Sequence, residues 1–377
     1  MTEINKSGEP IGRNANFEVL RNVAMLFIVI YHILYHGVHL KEAVIIPNPI
    51  SISNFVLSQY ILTIVSICVN LYVLITGYFL FDKSFKSVRF IKVWFLALFY
   101  GFIITTTVHY FCPEKASLVD VIHTLRPMVW GPYWFVRQYL GLLIAAPLLG
   151  FIAKSISKKQ FKLLLLVFFI LGTNFTYFVG SFPFGEALVF SRGFSLVWFI
   201  FLFFTGAYIR RFDVRFASIK QFLILSIIIC LYVITRICLL YYLKGIDLHI
   251  ENYDYNGFPF VLAVIFFCWF KNLHFKENFF TKMLVKIAPY TFAVYLIHDN
   301  TSIRSILYGW GGISPELLNS VSLLPRIMAF SVLVFFSCIL IDRARAFMFS
   351  ICKIDVIQNK LALIFDRWIN NMVHKLD

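Results

Sequence analysis

Ten runs of apolar residues punctuate the chain, near 17–38, 55–81, 91–111, 134–153, 162–180, 194–210, 218–243, 256–271, 284–299 and 320–342. Each approaches the length a helix needs to cross a bilayer. The polar connections between them alternate in charge. Segments 82–92, 154–162, 210–220 and 271–286 carry four Lys or Arg each, whereas those near 39–54, 111–132, 181–193, 244–255 and 300–319 carry one or two. Cytoplasmic loops collect Lys and Arg, so the pattern predicts cytoplasmic termini, as an even number of spans requires. Beyond the last run, Ile354, Ile357, Leu361, Ile364, Phe365, Trp368 and Met372 recur at helical spacing opposite Lys360, Asp366, Arg367 and Asn371. That spacing predicts an amphipathic helix lying on the inner membrane surface. The expected fold is an all-α integral membrane protein, a bundle of about ten transmembrane helices. It forms a single domain over 1–377, with spans over about 17–342 and a cytoplasmic amphipathic tail at 343–377. No extracytoplasmic C-terminal domain, internal repeat or low-complexity linker is expected.

Composition fits that pattern. Of 377 residues, 60% are hydrophobic and 14% charged, with a mean hydropathy of +0.80. Soluble domains are nearer half apolar and a quarter charged. A polar stretch, residues 1–16, precedes the first apolar run, and no small-residue cleavage site follows that run, so it reads as a retained span and not a secretory signal. The net charge of +15 belongs with basic cytoplasmic loops and not with nucleic acid. The seven cysteines form no CxxC pair and read as small buried hydrophobes.

Depth along the spans singles out a few polar residues. Arg21 and His32 lie eleven steps apart on the first span, so they point to one side with a rise of about 16.5 Å. Arg21 falls near the inner end, where Glu18 one turn earlier can pair with it. His32 falls in the outer half, with His36 a turn beyond and His39 at the outer interface. Ionisable groups inside a membrane are costly and generally face a cavity or a partner. A metal site at His32 and His36 is not expected, because no third ligand is placed near them in sequence. Arg137, Arg192, Arg236 and Arg326 all fall at the outer side, against the charge bias, and His298, Asp299 and Asn300 interrupt the outer end of the ninth span. Guanidinium groups gathered at one depth suit an anionic or hydroxyl-rich ligand approached from outside; contact with lipid phosphate is the alternative.

The segment "NFEVLRNVAMLFIVIYHILYHG" (16–37) resembles the first helix of the membrane-bound acyltransferase-3 family, whose signature is Arg, ten residues, then His. Four further stretches resemble later family helices in order: "VNLYVLITGYFLFDK" (69–83), "YWFVRQYLGLLIAAPLL" (133–149), "SLVWFIFLFFTGAYIRR" (195–211) and "YTFAVYLIHDN" (290–300). The resemblance implies a multi-pass enzyme of the plasma or inner membrane. It would move an acyl group, usually acetyl, from cytoplasmic acyl-CoA to a hydroxyl of an envelope glycan or lipid-linked sugar. Acetyl-CoA is then the donor substrate, membrane lipids surround the bundle, and neither a metal nor a nucleic acid takes part. A transporter or flippase for a lipid-linked sugar or proton-coupled solute is the competing class.

On that expectation Arg21, with the loop cations Arg210 and Arg211, grips the donor's phosphates, and the 16.5 Å rise matches the length of a pantetheine arm. His32 is the general base. Arg137, His298 and Asn300 are candidate donors to the oxyanion. Tyr72, Thr76, Gly77 and Tyr78 line the donor channel or pack helices, and Tyr133 and Trp134 stack on a sugar or anchor at the interface. Arg192, Arg236 and Arg326 bind the acceptor.

Overall fold

The computed structural model describes residues 15–40, 48–84, 86–129, 131–172, 191–247 and 254–373, and the regular structure among them is helical. In chain order the α-helices are α1 (Ala15–His32), α2 (Pro49–Val65), α3 (Cys68–Leu80), α4 (Ser87–Phe111), α5 (Leu118–Thr124), α6 (Trp134–Ser155) and α7 (Lys158–Gly172). They continue as α8 (Leu196–Arg211), α9 (Ile219–Lys244), α10 (Phe258–Lys271), α11 (Phe279–Ile287), α12 (Thr291–His298), α13 (Arg304–Trp310), α14 (Leu323–Ile351) and α15 (Ile354–Val373).

Seven helical segments among the described residues are long and apolar enough to cross a membrane: Ala15–Gly37, Pro49–Leu80, Ser87–Phe111, Trp134–Ser155, Ile219–Lys244, Phe279–His298 and Leu323–Ile351. The protein is a multi-pass membrane protein. The other three apolar runs fall on the shorter helices α7, α8 and α10, of 15, 16 and 14 residues. Part of the run at 162–180 lies outside the described residues. The last span also outruns its sequence boundary, since α14 extends to Ile351 before a turn at Lys353 (φ 53°). The C-terminal segment expected to be amphipathic is helical as α15, and the side chains of residues 368–373 lie outside the described residues.

Local sequence explains the helix starts. Asn48 accepts from the backbone N–H groups of Ile50 and Ser51 ahead of Pro49, and Ser218 pairs with Gln221 in a reciprocal cap. Such caps satisfy N–H groups that have no partner within the helix. The α2–α3 segment breaks at Ser66–Ile67, and the α11–α12 segment is interrupted at Ala288–Tyr290 beside Pro289.

Packing places α1 inside the bundle. The Ala15–Gly37 span is 78% buried in its apolar window, against 28% for Ile219–Lys244. It packs against α3, α11, α12 and α14, which wrap the one helix carrying the Arg–His pair. The tightest crossing joins α3 to α8. There a Cβ on Gly77 would lie 2.2 Å from Phe203 O, and one on Gly206 would lie 2.3 Å from Leu74 O. Small residues let two membrane helices approach this closely, so Gly77 serves packing and not the channel. Buried amides tie helices together: Asn70 accepts from Trp198 Nε1 and donates to Tyr255 O, and Asn22 donates to Leu284 O. All seven cysteines are free.

Candidate active site

His32 ends α1, and the chain continues into a wide π-turn, Ile33–Gly37, which carries His36. The C-terminus of α12 meets this point. His32 Nδ1 lies 3.0 Å from His298 Nε2 and 3.5 Å from Asp299 Oδ1. Arg304, at the start of α13, brings its guanidinium 2.6 Å from His36 Nε2 and 3.3 Å from Asp299 Oδ1. His32, His298 and Asp299 are all buried. Three imidazoles, a carboxylate and a guanidinium thus form one cluster, and ionisable groups inside a membrane generally face a cavity or a partner.

The hydrogen bonds order the protons. His298 Nδ1 bonds Val294 O, which only accepts, so the neutral His298 ring carries its proton on Nδ1 and a lone pair on Nε2. The 3.0 Å contact then requires the proton of His32 on Nδ1, where Asp299 can also accept it. His32 Nε2 is left with the lone pair. The arrangement does for His32 what a carboxylate does for a catalytic histidine elsewhere, fixing the tautomer and answering the charge that forms.

Three spaces lie around the cluster along α1. On the Arg21 side lies a space of about 500 Å³. Its wall includes Arg21, Arg89 and Lys92, with Glu18, Thr76 and Tyr139. Beside it is a pocket of about 20 Å³ walled by His32, Trp134, Tyr255 and Tyr295. Tyr72, Phe135 and Phe292 line both spaces and form the constriction between them. On the opposite side of His32 a third cavity of about 370 Å³ is lined by His36, His39, Thr301, Arg304, Ser305 and Ser314, among others.

Several expected residues converge. Arg21 pairs with Glu18 at 2.5 Å and lines the large cavity with it. The Tyr72 hydroxyl donates to Arg21 O, 3.1 Å away, and so couples the constriction to α1. Others are engaged elsewhere. Arg210 pairs with Asp82 at 3.0 Å and donates to Tyr78 O, and Arg211 donates to Ala153 O and Ile156 O; both tie helix ends together away from the Arg21 cavity. Tyr78 packs among Phe17, Phe79 and Phe267. In the α8–α9 connection Asp213 is held at about 2 by hydrogen bonds from Arg215 and Lys271, which occupies those two cations as well.

The outer arginines do not gather. Arg137 donates to Val129 O, Arg326 donates to Gly312 O, Arg192 is exposed, and Arg236 lines a separate groove on α9 with Tyr232 and Leu243. None lines either space beside His32 on the Arg21 side, or the cavity opposite. Sharing a depth does not place side chains on one face. Asn300 is fully buried and donates to the Tyr133 hydroxyl, which donates in turn to Leu296 O. Tyr133 is therefore a core residue with no face for a sugar, while Trp134 walls the small pocket, stacked on Tyr255.

Reading the sequence alone gives no role to Asp299, Arg304, Arg89 or Lys92. Asp299 and Arg304 sit more than 260 positions from His32, and only the fold joins them. His32, His36 and Asp299 now present donor atoms within 4.8 Å of one another, a spacing that can hold a metal ion. The Arg304 guanidinium already supplies positive charge to His36 and Asp299 at that point, so the donor set fits an internal cation better than a metal.

An all-helical membrane bundle with a buried His–His–Asp group between two cavities is the setting in which the family comparison falls. Residues 14–343 match the acyltransferase-3 family, described as an acyltransferase domain, and the protein belongs to that family. Its activity class is acyl transfer. The match stops short of α15. No curated protein and no solved structure matches the chain.

Proposed function

We propose that the protein moves an acetyl group from cytoplasmic acetyl-CoA to a hydroxyl of an envelope glycan or lipid-linked sugar, across the plasma or inner membrane. The observation that carries this reading is the position of His32, buried between a cation-lined cavity and a hydroxyl-lined one. The topology that goes with it has ten spans, cytoplasmic termini and α15 on the inner surface. The cations of segment 82–92 then lie on the cytoplasmic side, as the charge bias of loops favours.

Coenzyme A docks its phosphates against Arg21, Arg89 and Lys92, where guanidinium and ammonium groups make charge-assisted bonds. The pantetheine arm passes Tyr72, Phe135 and Phe292 and delivers the thioester to the pocket beside His32. That pocket is small, about 20 Å³, which favours acetyl over a longer chain. The acceptor comes from the opposite cavity, past His36 and Arg304.

The acceptor oxygen attacks the thioester carbonyl carbon as His32 Nε2 takes the hydroxyl proton. The tetrahedral intermediate collapses, the C–S bond breaks, and the proton on His32 passes to the departing sulfur. The products are an O-acetyl ester and free CoA thiol, with His32 restored. His298 and Asp299 act through His32 as positioning residues. No metal is called for.

The test supplies labelled acetyl-CoA to inverted membrane vesicles and measures alkali-labile label in the glycan fraction. Wild-type protein should transfer label. The His32→Ala variant should insert and fold normally yet lose transfer by about 10²–10⁴-fold, the usual worth of general-base catalysis. Near-normal transfer by that variant refutes the assignment. Movement of a sugar without consumption of acetyl-CoA would instead identify a transporter.

A further inference from the structure

Attack on a thioester places negative charge on the carbonyl oxygen, and the site needs a donor there. None of the three residues expected to supply it is placed to do so. Arg137 lines neither the small pocket nor the cavities beside it, both nitrogens of His298 are engaged, and the Asn300 amide donates to Tyr133 and Thr105. Tyr295 is placed differently. It lies three residues before His298 on α12, only 4% exposed, and lines the small pocket together with His32. Its ring is held 5.7 Å from that of Tyr133 and 6.0 Å from that of Phe135, and lies 6.3 Å from the His32 ring. Its hydroxyl proton finds no acceptor among the described residues.

A buried hydroxyl whose proton has no acceptor is unfavourable for folding; here the backbone N–H of Phe135 is beside its oxygen, and the Tyr295 side chain lines the pocket where the thioester would react. Nearby Tyr72, by contrast, bonds Arg21 O and Thr291. We propose that Tyr295 is a catalytic residue whose hydroxyl donates a hydrogen bond to the thioester carbonyl oxygen and strengthens it as the oxyanion forms. The proposal rests on the acyl-transfer reading above. No covalent bond to Tyr295 forms or breaks; the electron pair of the C=O bond moves onto oxygen and returns when the thiolate leaves. One turn of α12 thus carries both the imidazole that fixes the base and the hydroxyl that receives the charge.

The Tyr295→Phe variant tests this, because it removes one oxygen and keeps the ring packing. Initial rates come from labelled acetyl-CoA and the endogenous glycan of inverted vesicles, and Tm from the detergent-solubilised protein. The expected result is a fall in kcat of about 10²–10³-fold, the cost of losing one oxyanion donor, with KM for acetyl-CoA unchanged. Tm should hold, since the hydroxyl donates no hydrogen bond among the described residues. A kcat within about threefold of wild type, or a fall in kcat accompanied by a lower Tm, overturns the proposal. Wild-type vesicles that incorporate no alkali-labile label would remove the acyl-transfer reading itself, and Tyr295 with it. Transfer by wild type that Tyr295→Phe matches would sink the Tyr295 role alone.

Discussion

Replacing Asp299 with Asn keeps the shape of the site and removes one charge, which makes its effect calculable. Asp299 Oδ1 lies 3.5 Å from His32 Nδ1. When His32 takes the acceptor's proton, the imidazolium and carboxylate attract by about 4.7 kcal/mol at an effective dielectric constant of 20, and by about 1.2 kcal/mol in bulk water. These limits bracket the loss of transition-state stabilisation, so Asp299→Asn should lower kcat by between about 10-fold and about 3,000-fold. KM for acetyl-CoA should hold, because the proposed site for the donor's phosphates lies at the Arg21 end. The same change leaves Arg304 without its carboxylate, 3.3 Å away. An uncompensated, largely buried guanidinium costs stability, and Tm should fall. The double variant Asp299→Asn, Arg304→Gln separates the two effects. Removing the stranded cation should restore Tm while kcat stays low. The assay pairs initial rates at saturating labelled acetyl-CoA with thermal unfolding in detergent for wild type, both single variants and the double variant. If the double variant regains wild-type kcat along with its Tm, Asp299 serves only to neutralise Arg304, and the electrostatic role assigned to it is wrong.

The cations of the large cavity should act on donor binding alone: Arg89→Ala and Arg21→Ala should each raise KM for acetyl-CoA by about 10-fold with kcat retained, less so at high salt. Competition by CoA and desulfo-CoA checks which end of the donor is affected. Gly77→Leu should prevent proper assembly, since even a Cβ there lies 2.2 Å from Phe203 O; overpacking of this kind costs about 1–3 kcal/mol or more. Size-exclusion profile and Tm report it, and a wild-type profile would show that α3 and α8 can separate at little cost.

How much of this was legible in the chain depends on the range of each interaction. The helices were readable because a bilayer interior requires every backbone group to be satisfied internally, and apolar length reports that directly. The Arg21–His32 relation was readable for the same local reason, as both sit on one regular helix, α1. His36 was readable too, a turn beyond His32, and the π-turn at Ile33–Gly37 keeps its ring 5.5 Å from that of His32. Asp299 stood in view beside His298, but its role needed the meeting of α1 with the end of α12, which no local spacing encodes. Arg89 and Lys92 were counted as loop charges, whereas they sit in the first turns of α4 and line the cavity. The outer arginines failed for a related reason: charge bias gives depth but not azimuth, and Arg236 faces its own groove on α9.

The narrow neck at Tyr72, Phe135 and Phe292 has a consequence for the cell's energetics as well as for chemistry. Chambers on either side of His32 would, if continuous, let protons and ions run down the membrane potential, which is worth about 2.3 kcal/mol per charge at 100 mV. On the proposed mechanism, a throat of three aromatic rings would admit a slim, mostly uncharged thioester arm while denying water a continuous column. The side chains that thread the proposed substrate would then also insulate the membrane, so that widening the throat would risk leakage.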